Sequence, residues 1–320
     1  MSKYRKELPQ LGARLFLTDG GLETTLIFHN GIDLPYFASF DLLRTGEGRK
    51  TLHDYFLPYI EKARQDRLGF VLEAPTWRAN PDWAAKLGYS REALAAVNRD
   101  AIALMEELRS AYETRDMPMV ISGNIGPRGD GYVAGAEMSV EEAAAYHGQQ
   151  IAVFADTTAD MVAAFTMTNI NEAHGIVVAA QQHKMPVAIS FTLETDGRLP
   201  SGATLKKAIE TVDAATGQGP AYYMINCAHP THFDTTLAGG GRWIERIRGI
   251  RANASKRSHA ELDAAPDLDA GDPVELGGQY RDLLKAFPQI RVIGGCCGTD
   301  HRHVGAMSTA CAGHSTSRAA

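Results

Sequence analysis

Apolar positions along the chain follow two alternating periods. Short, nearly continuous apolar runs of strand length occur at Leu15 to Thr18, Gly69 to Glu73, Met119 to Asn124, Met161 to Met167, Val187 to Leu193, Tyr222 to Asn226, Gly249 to Asn253 and Arg291 to Gly295. Such runs, bounded by turn residues, are the signature of strands buried on both faces. Between them, apolar residues recur at spacings of three and four. The clearest case is Ser90 to Thr114, where Leu94, Val97, Ala101, Leu104 and Leu108 form one face of a helix. Another helix opens at Ser139, with Glu142 placed to complete a capping box. Further helices are predicted over Thr51 to Arg64, Asn171 to His183, Thr204 to Thr216, Pro273 to Ala286 and His301 to Ala312.

Strands alternating with helices predict a parallel sheet. Eight such units in 320 residues, against about 250 residues for the bare architecture, predict a single α/β domain over residues 1–320, a (β/α)8 TIM-type barrel. The alternative, a doubly wound open sheet, expects G-x-G-x-x-G after its first strand; the chain has TDGGLETT there. Residues 254–272 are polar and without period, which predicts a long loop after the seventh strand.

Composition narrows the partners. A net charge of −6, a pI near 6.0 and no basic stretch longer than SKR at 255–257 argue against nucleic acid. No apolar run has the length of a signal peptide core or of the roughly 18 residues of a membrane span, so a cytoplasmic protein without a membrane partner is expected. The expected ligands are small molecules, and a homo-oligomer is compatible with all of this.

A barrel presents its working residues at the C-terminal ends of its strands. Here those ends carry Asp19, Glu73, Asn124, Glu194, Asn226 with Cys227, Asn253, and Cys296 with Cys297. Four cysteines, two of them adjacent, make a poor disulfide framework. Cys227 ends the sixth strand and the pair ends the eighth, so the fold would bring three thiols to one mouth. Catalytic zinc sites take three protein ligands and leave the fourth position open, and the glycines of GGCCG give the backbone freedom to aim two adjacent sulfurs at one ion. Two other readings stay open: buried apolar cysteines and a vicinal Cys296–Cys297 disulfide. His229 and His301 lie near enough in sequence to be considered as a fourth ligand. Cys311, among small residues in the last helix, reads as a packing or exposed thiol.

The segments LTDGGLETTL (17–26), GNIGPRGDGY (123–132), INCAHP (225–230) and IGGCCGTDHRHV (293–304) resemble those of the homocysteine S-methyltransferases, a family including betaine- and S-methylmethionine-dependent enzymes. The resemblance runs nearly end to end. It implies a (β/α)8 barrel with Zn2+ on Cys227, Cys296 and Cys297, and methyl transfer from a sulfonium or betaine-like donor to a thiol, by default homocysteine, giving methionine. It also implies that Asp19 contacts the homocysteine amino group, with Gly20 and Gly21 letting the backbone approach the ligand, and that Trp77 falls where relatives often carry an aromatic. A free thiol with pKa about 8.5 is a few per cent thiolate at pH 7, whereas zinc coordination deprotonates it. Trp77 or Tyr132 would face a cationic donor through cation–π attraction.

One departure bears on the acceptor. Relatives that use homocysteine carry a glutamate at the end of strand four as a second contact to the amino group, but this chain reads ADMVAAFTMTNINEA over 159–173, with Phe165 or Thr166 at that position. Either Glu73 or Glu194 compensates, or the acceptor is a different thiol and Thr166, Thr168 and Asn169 bind something neutral. A zinc-dependent hydrolase or lyase using His229, Glu73 or Glu194 as base, and a non-catalytic sulfur-amino-acid binding protein, are the competing functions.

Overall fold

The computed structural model describes residues 2–315. Eight parallel strands close into a barrel in chain order: β1 Phe16–Leu17, β2 Gly69–Glu73, β3 Met119–Ile125, β4 Met161–Met167, β5 Val187–Phe191, β6 Tyr222–Asn226, β7 Ile247–Ala252 and β8 Val292–Gly295. Pairing of Phe16 with Val292 joins β1 to β8. Eight principal helices follow the strands: α1 Gly46–Asp66, α2 Arg91–Tyr112, α3 Val140–Ala155, α4 Ile170–Gln182, α5 Leu205–Thr216, α6 Pro230–Ala238, α7 Pro273–Ala286 and α8 His301–Cys311. Among the described residues no helix is long and apolar enough to cross a membrane.

Local signals explain most boundaries. Ser90 caps α2 by accepting from Ala93 N, and Val97, Ala101, Leu104 and Leu108 are buried as the period predicts. Both hydrogen bonds of the Ser139–Glu142 capping box start α3. Three features differ from the expectation. Strand β7 begins at Ile247 rather than Gly249, beside a register shift against β6. The helix α6 was not signalled: it is short, with Phe233 and Leu237 as its main buried apolar residues and Pro230 at its first turn. The 254–272 loop contains a helical turn, His259–Asp263, started by a Ser258–Glu261 capping box.

Side chains fill the barrel from one end. Phe16, Val71, Val120, Met161, Tyr222 and Val292 pack in its lower layers, with Leu8 beneath them. Toward the C-terminal mouth the interior turns polar, with Glu73, Asn226 and Arg251 buried there. That change of lining positions the site.

Candidate active site

The three predicted cysteines meet at the mouth. Their sulfurs all lie within 4.8 Å of one another. Cys227 and Cys296 are joined as a disulfide, and Cys297 Sγ lies 3.9 Å from Cys227 Sγ. The vicinal alternative, Cys296 with Cys297, does not form: Cys297 is a free cysteine. Zinc–sulfur bonds of about 2.3 Å in tetrahedral geometry put ligand sulfurs about 3.8 Å apart. The Cys227–Cys297 separation matches this, and Cys296 belongs to the same cluster, so the three residues fit a zinc ion once the disulfide is reduced. His229 is not part of the cluster; its Nδ1 bonds Thr231 and caps α6.

Neighbouring elements hold these cysteines in place. Cys227 (φ 52°) and Thr166 (φ 63°), at the ends of β6 and in β4, both occupy the left-handed region, which costs on the order of 1–3 kcal/mol for a non-glycine residue. Asn226 fixes both neighbours: its Oδ1 accepts from Thr166 N at 2.9 Å and Ser190 Oγ at 2.6 Å, and its Nδ2 donates to Thr166 Oγ1 at 2.9 Å and faces Cys296 Sγ at 3.8 Å. Asn253 Nδ2 and His259 Nε2 both meet the Cys227 carbonyl, at 3.2 and 2.7 Å. Gly21 is needed for closeness to the Cys296 loop: a Cβ there would sit 2.6 Å from the Cys296 carbonyl oxygen.

A cavity of about 190 Å³ opens onto the cysteines. It is lined by Asp19, Gly20, Gly21, Glu73, Trp77, Asn124, Thr166 and Asn226 as well as by Cys227, Cys296 and Cys297. Glu194 is not brought into it. Instead its Oε1 lies 3.1 Å from His259 Nδ1, whose other nitrogen holds the Cys227 carbonyl. The sequence reading missed Glu23, Asp263 and Arg251, which also line the cavity. It missed His259 as well, though the S-x-x-E of Ser258–Glu261 marks the turn that carries it.

Charge in the cavity is unevenly placed. Arg251 Nη2 reaches Asp19 Oδ1 at 2.8 Å and Tyr55 donates to Asp19 Oδ2 at 3.0 Å. Both groups are buried. Burial raises the Asp19 pKa, with Arg251 and Tyr55 opposing; burial works against the Arg251 charge, but Asp19 and Glu73 more than offset it. Burial pushes Glu73 up to about 7, with Arg251 opposing, and its Oε2 has no hydrogen-bond partner. Cys297 is pushed up by burial to about 11, although Tyr132 donates to its sulfur at 3.2 Å. As a free thiol it is protonated at neutral pH.

The homocysteine S-methyltransferase family model matches residues 16–311. The chain belongs to the homocysteine S-methyltransferase family. It is 22% identical over 315 residues to homocysteine S-methyltransferase 1 of Brassica oleracea var. italica, covering 91% of this chain and 92% of the relative. It is 25% identical over 323 residues to selenocysteine Se-methyltransferase of the same plant, covering 92% and 88%. The homocysteine methyltransferase MmuM of Escherichia coli shares the fold. Its oxidized form aligns with TM-score 0.75 at 20% identity over 96% of this chain and 99% of that one. Its metallated form aligns with TM-score 0.71 at 19% over 95% and 98%. The family membership makes this protein a thiol S-methyltransferase acting on small molecules.

Proposed function

We propose that this enzyme transfers a methyl group from a sulfonium or betaine-like donor to a thiol seated on a zinc ion held by Cys227, Cys296 and Cys297. The observation that carries the reading is the convergence of three sulfurs within 4.8 Å at the floor of the mouth cavity. When bound, zinc supplies an acceptor thiolate at neutral pH, with useful nucleophilicity retained.

The protein's own groups supply position and exclusion of water. Asn226, Asn253 and His259 hold the backbone and sulfurs of the cysteine cluster, and Tyr132 covers Cys297. Trp77 faces the cavity on the donor side, where an aromatic wall favours a positive methyl carrier. In-line displacement from such a carrier needs alignment more than an acid or base. Homocysteine is the family's acceptor and hence the default, with methionine as product; Asp19, Glu73, Asn124 and Thr166 are among the polar residues that line the cavity. A reducing cytoplasm would keep Cys227 and Cys296 as thiols.

The test has two arms. Protein reduced and then exposed to zinc should retain one equivalent after dialysis, and the triple Cys→Ser variant none; retention unchanged in that variant would sink the metal assignment. A mass-based screen of thiols against S-methylmethionine, S-adenosylmethionine and betaine should then give a methylated thiol. Turnover of no pair would remove the methyl-transfer reading.

A further inference from the structure

In the family, Asp19 and the strand-four glutamate are the expected partners of an acceptor ammonium, and neither is available for it here. Asp19 Oδ1 is ion-paired with Arg251 Nη2 at 2.8 Å, without a hydrogen bond of its own, and Oδ2 accepts from the Tyr55 hydroxyl at 3.0 Å. The strand-four position falls on Phe165 or Thr166, neither of them a carboxylate, and the Phe165 ring centroid lies 5.1 Å from the Arg251 guanidinium. An ammonium entering here would meet a carboxylate already neutralised, an apolar ring, and a like charge.

Arg251 is held rigidly, Nε donating to the Gly295 carbonyl and Nη2 to that of Gly20, each at 2.9 Å. Among the described residues its Nη1 has no hydrogen-bond partner, and Arg251 lines the cavity. Beside it, Glu73 presents an unpartnered Oε2 while 3% exposed. Around the same cavity stand three further carboxylates, Glu23, Asp130 and Asp263. The cavity thus holds two cations, Arg251 and Arg78, among several carboxylates, and the unpartnered Nη1 of Arg251 is the donor placed to meet an anionic acceptor.

We propose that the acceptor of this enzyme is a mercaptocarboxylate, a thiol bearing a carboxylate and no ammonium group, and that Arg251 selects it by neutralising Asp19 and donating through Nη1 to the carboxylate. This rests on the reading that a thiol is seated at the three cysteines.

Calorimetric titration of the reduced, zinc-loaded enzyme with homocysteine and with 4-mercaptobutanoate, the same skeleton without the amino group, tests it. Binding of 4-mercaptobutanoate should be roughly tenfold tighter or more. Arg251→Leu should abolish or reverse that order, and Arg251→Lys should keep it. Because Arg251 also ties down two backbone carbonyls, Phe165→Glu provides an independent variant: it should strengthen homocysteine binding and weaken that of 4-mercaptobutanoate. Homocysteine binding as tightly as its deamino analogue would overturn the inference while leaving the thiol seat intact, and loss of that binding in Glu73→Gln would put the ammonium at Glu73. Binding of neither thiol to the zinc-loaded protein would overturn the thiol seat itself.

Discussion

The Tyr132 hydroxyl donates to Cys297 Sγ at 3.2 Å while its ring lies flat on His259, with centroids 4.1 Å apart. Tyr132 therefore links the loop after β3 to the β7–α7 loop directly over the sulfur cluster. Groups hydrogen-bonded to metal ligands typically change metal affinity by about 10- to 100-fold when removed. Tyr132→Phe keeps the ring and its stacking but loses the donor. It should weaken zinc binding by roughly tenfold, measured by competition with a chromophoric chelator in reduced protein. An unchanged affinity would mean that the hydroxyl has no hold on the metal ligand.

Glu73 makes a prediction about pH. Burial raises its pKa from 4.5 to about 7 in the folded protein, so the folded state binds a proton that the unfolded chain has released between those values. The groups that act on it are Arg251 and Asp19. Stability from this group is fully present below about 4.5 and is lost as pH rises through about 7, by about 3 kcal/mol in total. Glu73→Gln removes this dependence. The variant should therefore gain on the wild type between pH 5 and pH 8 in urea denaturation; a difference that is flat with pH would show that Glu73 ionises normally.

Much of this arrangement was legible in the chain. Strands buried on both faces have to be apolar runs, and the barrel's geometry sends their last residues to one mouth, so Cys227, Cys296 and Cys297 could be brought together from position alone. Arg251 could not. It stands inside a predicted strand with nothing local to mark it, and its partner Asp19 lies just past the first strand, near it only once the barrel closes. The same holds for Glu194, which the strand-end rule sends to the mouth but which His259, from the loop after β7, draws aside. The pairing of Cys227 with Cys296 was also not legible, because the two lie 69 residues apart and the disulfide weighed from sequence was the vicinal one.

The opposite end of the barrel should behave as scaffold. Asp160, fully buried just before β4, accepts from the backbone nitrogens of Lys3, Tyr4 and Ile121 at 2.8, 2.7 and 2.9 Å and pairs with Arg109 at 2.7 Å. Removing one partner of a buried pair leaves the other charge uncompensated, which costs about 3–5 kcal/mol. Asp160→Ala should lower the urea midpoint accordingly while zinc stoichiometry, measured at a temperature where the variant is folded, stays at that of the wild type. Loss of zinc from folded variant would contradict the separation of stability at one face from chemistry at the other.

Trp77 tests the donor side. Its ring lines the cavity, and the Arg78 guanidinium, itself stacked against Trp83 as well, lies 4.0 Å from its centroid. Arg78 is buried enough that its pKa is pushed down to about 10, yet it stays charged at neutral pH and occupies ring surface that a donor would otherwise use. Attraction between the remaining ring surface and a sulfonium is worth about 0.5–2 kcal/mol, or roughly 3- to 30-fold in affinity. Trp77→Leu should weaken binding of the sulfonium donor by that factor and leave its neutral thioether analogue nearly unaffected, with Trp77→Phe intermediate. If donor and thioether lose affinity equally, Trp77 contributes shape rather than charge recognition, and the aromatic seat for the methyl carrier has to be sought at Phe37 or Tyr132, which line the same cavity.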